Sequence, residues 1–138
     1  MTKETFRPVL RTQADVEKFW TRICHPLGWR TPELWLVLVD SNGEPFPSVQ
    51  QVAELPEEPD EVAVGNLVVI CRDLLGEFAP GGRVATLLCR PGTGFPTVFD
   101  KAWARALRDA SRREGVELEV VHVATDIAIT PLPMDAAA

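Results

Sequence analysis

Apolar positions along the 138-residue chain repeat with two periods, and the alternation between them outlines the fold. In "TQADVEKFWTRIC", Val16, Phe19, Trp20 and Ile23 recur at helical spacing and form one stripe. Thr12 is a good N-cap ahead of that stripe, and Asp15 sits at the capping-box position. Pro26, Gly28 and Pro32 then break the helix. "ELWLVLVD" is a short branched apolar run between turn signals, which predicts a buried strand. The Asn-Gly pair of "SNGEP" predicts a hairpin turn, with "FPSVQQVAEL" as the return strand. Pro47 places that strand at an edge or in a bulge.

An acidic connector, "PEEPDE", leads into "EVAVGNLVVICRDLLGEF". Val64, Leu67, Val68, Cys71, Leu74 and Leu75 repeat there with helical period, and acidic residues ahead of them suit a helix N-terminus. Gly76 and the run Pro80–Gly82 are the stop signals. "RVATLLC" predicts a central strand. "TVFDKAWARALRDASRREG" predicts a long helix with Phe99, Trp103, Ala106, Leu107 and Ala110 on its apolar face and Gly115 just past its end. "VELEVVHVA" predicts a strand and "IAITPL" an edge strand, and residues 131–138 read as a flexible tail on a single domain spanning 1–130. Helices alternating with strands have to cover a common sheet. The predicted fold class is therefore α/β, a layered mixed β-sheet flanked by helices.

Composition narrows the function. With 46% apolar and 25% charged residues, the chain is an ordinary globular sequence long enough to bury a core. A net charge of −6 argues against general nucleic-acid or anionic-membrane binding, which needs clustered cations. The three cysteines, Cys24, Cys71 and Cys89, form no close pair and read as reduced thiols. "MTKETFRPVL" has no apolar core of a signal peptide, and "LWLVLV" is too short to span a bilayer, so the expected location is cytoplasmic.

The candidate chemistry lies in "LLCRPGTGFPTVFD", where a strand runs through a Gly/Pro-rich loop into a helix. Neither "GEFAPGG" nor "PGTGF" makes a phosphate-binding pattern. Asp100 stands three residues after Thr97, where it can cap the helix. Arg90 reads on its own as a solvated loop cation. Cys89 is placed where a nucleophile would sit, but the only bases available are His25 and His122, and a buried thiol is the simpler reading. Arg105, Arg108, Arg112 and Arg113 read as a solvated face, open to an acidic partner. Trp29 and Trp35 read as core or interface. "AELPEEPDE" reads as a solvated loop or a docking surface.

Several phrases resemble the RadC-like proteins of the JAB/MPN (JAMM) superfamily, over about Arg7 to Thr125. "VLRTQADVEKFW" resembles that family's L-x-T-x-x-D-V helix, and "PELWLVLVDSNGEP" its first hairpin. "LLCRPGTGFPTVFDKAWARALRDASRREGVELEVVHV" resembles its segment from H-x-H through S-x-x-D to a final D-H. The resemblance implies a cytidine-deaminase-like layered core. It also implies a zinc site made by two histidines and an aspartate, with a glutamate acting on the zinc-bound water. A catalytic zinc keeps about three protein ligands and lowers the pKa of its water to roughly 7.

The departures from the family decide what the resemblance implies for function. The two histidine positions are Leu88 and Arg90, the loop is one residue shorter, and the aspartate before His122 is Val121. Thr97, Asp100 and Glu33 match the family pattern. Leucine cannot ligate, and a permanent cation repels a metal. The family pattern offers Arg90 a carboxylate partner, Asp100 or Glu33, in place of the lost metal. The resemblance therefore implies a non-catalytic, zinc-lost domain that acts as a protein-interaction or oligomerisation module with no cofactor. The alternative is a zinc-dependent isopeptidase-like or deaminase-like hydrolase with unconventional ligands, Cys89, Asp100 and His122.

Overall fold

A computed structural model describes residues 8–133. Three helices, α1 (Gln13–Ile23), α2 (Glu61–Phe78) and α3 (Val98–Glu114), flank a sheet. Its strands are β1 (Glu33–Val39), β2 (Gln50–Val52), β3 (Arg83–Cys89), β4 (His122–Ala124) and β5 (Ile129–Pro131). The sheet is mixed and open, with order β2-β1-β3-β4-β5. β1 pairs antiparallel with β2 and β3, and β4 antiparallel with β5. β3 and β4 are parallel, which requires a crossover, and α3 supplies it.

The helix ends follow from local chemistry. Thr12 accepts from the Asp15 amide while the Asp15 carboxylate accepts from Thr12, and Thr97 and Asp100 repeat the same reciprocal box. Asp60 caps α2 by accepting from the Val62 and Ala63 amides. Gly115, left-handed at φ 69°, ends α3. Gly76, expected as a stop, lies inside α2, which runs two residues further to Phe78.

Strand alternation sorts the core into two layers. Leu34 and Leu36 of β1 and Val84 and Leu88 of β3 pack against α2 and α3. Val37, Val39, Ala85, Leu87 and Cys89 pack under α1 with Val16, Phe19 and Trp20. β3 is covered on both faces, which explains why it is apolar on both parities apart from Thr86 and its first residue, Arg83.

Three expected boundaries move. The return strand "FPSVQQVAEL" contracts to Gln50–Val52 plus a bridge between Val39 and Pro45, because Pro45 and Pro47 have no amide hydrogen to give a ladder. "VELEVVHVA" contracts to His122–Ala124 plus a bridge between Val84 and Leu118, with Glu119 drawn to the Arg83 guanidinium. The expected tail begins later, since Pro131 closes β5 and the fully buried Leu132 donates its amide to Val121. Residues 134–138 of that tail lie outside the described residues.

Two glycines separate backbone crowding from helix propensity. At Gly82 a Cβ would sit on the Val39 carbonyl oxygen, whereas at Gly76 it meets nothing. Gly82→Ala is expected to lower the unfolding midpoint in urea. Gly76→Ala is expected to raise stability by about 0.5–1 kcal/mol, and equal effects of the two would contradict this packing.

Candidate functional site

The site is built where β3 ends against the start of α3. Arg90 continues the strand and donates its amide to the Ala124 carbonyl at 3.1 Å. Its parity is that of Leu88, so its side chain turns to the layer of α2 and α3. There Nε meets Asp100 Oδ1 at 2.6 Å and Nη2 meets Asp100 Oδ2 at 2.6 Å, a bidentate pair. Arg90 is 6% exposed and Asp100 0%. Of the two partners expected for Arg90, the structure selects Asp100, and the solvated-arginine reading is corrected.

The pair makes further hydrogen bonds locally. Arg90 also donates to the Gly94 carbonyl and, at 3.3 Å, to the Pro91 carbonyl. Asp100 Oδ2 accepts the Thr97 amide at 2.8 Å, so it caps α3 and holds the arginine together. The loop is fastened from outside by Asp126, whose carboxylate accepts the Gly92 amide at 2.8 Å and whose amide donates to the Gly92 carbonyl at 3.0 Å. Asp126 carries no local sequence signal, and a partner 34 positions away is invisible to a reading by spacing.

Glu33 does not join this pair. It lies beside Cys89 across β1 and β3, on the α1 face. Its carboxylate accepts the Trp35 indole N–H at 3.2 Å. Trp35 in turn stacks edge-on with Trp29, 5.6 Å between ring centroids, which places both tryptophans in the packing under α1. The expectation that Glu33 and Asp100 share a site is therefore corrected, because the sheet stands between them.

Cys89 and His122 also face α1, separated from Asp100. His122 pairs with Leu87, the same-face neighbour of Cys89. The Cys89 thiol is directed at the Leu87 carbonyl, 3.9 Å away, rather than at a base. Burial, reinforced by Cys24 and Glu33 nearby, pushes its thiol pKa up. Burial likewise pushes the Cys24 thiol up to about 12, and raises that of Cys71. A cysteine nucleophile needs the opposite shift, so Cys89 is a core thiol. The set Cys89, Asp100 and His122 is not assembled, and among the described residues no group of three or more His, Cys, Asp or Glu is placed to hold a metal ion. The residues present do not fit a zinc centre. Leu88 is apolar, Arg90 is cationic and already occupies Asp100, and Glu33 is on the other face.

No helix among the described residues is long and apolar enough to cross a membrane. Compared with models of known protein families and with curated proteins, the sequence gives no match.

Two measurements follow from these side chains. Arg90→Ala strands a buried carboxylate and is expected to cost about 3–5 kcal/mol. Adding Asp100→Ala should recover part of that loss, a coupling of about 0.5–3 kcal/mol in a double-mutant cycle by urea unfolding. Additive losses would mean that the two side chains act independently.

His122 is fully buried, with Nδ1–H donating to the Val120 carbonyl at 3.0 Å and Nε2 without a partner. Burial lowers its pKa below 6.5, outweighing the opposing pull of the Val120 carbonyl, Glu17 and Glu119. The unfolded chain thus takes up the proton first as pH falls, so this contribution is complete above pH 6.5 and is lost as pH falls toward the lower folded value. Between about pH 7.5 and 5.5 the parent should lose more stability than His122→Gln, and parallel pH profiles would refute the assignment.

Proposed function

We propose that the chain is a zinc-lost relative of the RadC-like JAB/MPN domains, with their cytidine-deaminase-like layering, acting as a protein-interaction or oligomerisation module. The observation that carries the proposal is the buried Arg90–Asp100 pair. At one family histidine position stands a guanidinium, and it neutralises the carboxylate that the resemblance equates with a zinc ligand. A cation of the protein's own thus takes the place of the metal's charge and keeps the Asp100 cap intact. Function resides in the site rather than in the fold, so a scaffold that keeps its layers and loses its ligands is left with binding.

Four further features support this reading. Each side-chain nitrogen of Arg90 donates at least one hydrogen bond and both Asp100 oxygens accept, so the pair is satisfied mainly from within the protein. The buried thiols are shifted away from nucleophilicity. The cysteines are free and buried, which suits a reducing, cytoplasmic setting. The net charge of −6 favours a protein partner over nucleic acid.

The test is zinc loading followed by dialysis and elemental analysis of the full chain. The expected result is well under one zinc per chain, unchanged by Asp100→Ala. A content of about one per chain, lost in Asp100→Ala, would overturn the proposal in favour of a metal-dependent hydrolase.

A further inference from the structure

One edge of the sheet has unused binding capacity. β2 is one of the sheet's two terminal strands and pairs only with β1. In an antiparallel pair alternate residues direct their N–H and C=O outward, which leaves a template for another strand. All three β2 residues are exposed, and none is charged. Edges are commonly guarded by Lys or other charges. Here Pro45 and Pro47 blunt the segment ahead of β2, and β2 itself carries no guard.

Beside this edge lies an apolar groove of about 570 Å³ between β2 and α2. Its far wall is a stripe one turn apart on α2, Ile70, Leu74 and Phe78, with Ile70 56% and Phe78 61% exposed. No charged side chain lines it. Periodicity places Leu74 with the core residues of α2, yet it remains exposed in this stripe. A strand added to β2 would lay alternate side chains into this groove.

Charge selects the occupant. β2 runs directly into Glu54, Glu57 and Glu58, all exposed, and no ion pair among the described residues involves them. The connector that carries them is held in place. Leu55 is buried and donates its amide to the Pro32 carbonyl, and the Trp103 indole donates to the Pro56 carbonyl. A second copy, itself carrying −6, would add like charge to this edge, whereas a cationic segment would complement it.

Building on the interaction-module reading, we propose that β2 and its groove capture an extended segment of a partner protein by strand addition. The segment alternates apolar residues and carries Lys or Arg at its N-terminal end. Antiparallel addition, the more stable pairing, sets that end beside Glu54, Glu57 and Glu58.

The experiment selects binders to the full chain from a phage-displayed library of random dodecapeptides and measures the enriched peptides by fluorescence anisotropy. Enriched peptides should show basic residues followed by apolar alternation. Bound peptide should slow amide exchange at Ser48–Val52. Glu57→Lys with Glu58→Lys, and separately Ile70→Glu with Phe78→Glu, should each weaken binding about tenfold. All four positions are exposed, so the variants are expected to fold. No enrichment, peptides without this pattern, or affinities that neither variant changes would overturn the proposal. A dimer of the chain lost in Ile70→Glu with Phe78→Glu would also overturn it, assigning the edge to self-association while leaving the module reading intact. Stoichiometric zinc would remove that reading without touching the peptide result.

Discussion

Everything in this fold is arranged around a strand that has no solvent face. β3 lies third of five in the sheet, with α1 on one side and α2 and α3 on the other. A strand so enclosed must be apolar on both parities, and "RVATLLC" satisfies this with only Thr86 polar and buried within it. The constraint extends one residue beyond the strand. Arg90 leaves β3 inside the protein rather than in solvent, and an enclosed guanidinium has to be paired and hydrogen-bonded. The Asp100 carboxylate meets that requirement while capping α3, so one ion pair joins the end of the central strand to the start of the crossover helix.

The elements that are local in origin were legible from residue order. The paired boxes of Thr12 with Asp15 and Thr97 with Asp100, the span of α2 and the central place of β3 all depend on neighbours within a few positions. The strands "FPSVQQVAEL" and "VELEVVHVA" were overdrawn, because strand length is set by the ladder a partner offers. Prolines shorten the first, and the pull of Arg83 on Glu119 accompanies the break in the second.

The site was legible only in part, for the same reason. The pairing of Arg90 with Asp100 spans ten positions and was one of two options that the family pattern offered. The position of Glu33 was not legible. A strand residue points to one face or the other according to register, and register is a property of the sheet. The motif match put Glu33 and Asp100 in one centre, whereas the alternation of β1 puts them on opposite faces. A motif match in order and spacing therefore does not by itself place the matched residues in one site.

The loop after β3 also bears on where binding can occur. It is closed on itself. Arg90 holds the Pro91 and Gly94 carbonyls, Asp126 holds Gly92, and the helix start is satisfied by its own box. A partner would have to break these bonds to reach any polar group there, at the cost of leaving buried charge unpaired. β2 presents the opposite condition. Its outward backbone groups face water, its apolar neighbours on α2 are already exposed, and no ion pair among the described residues involves its acidic flank. A strand joining there exchanges hydrogen bonds to water for ladder bonds, buries surface that folding left uncovered, and brings cations to the acidic flank. Each of these changes favours association, and none requires the core around Arg90 and Asp100 to move.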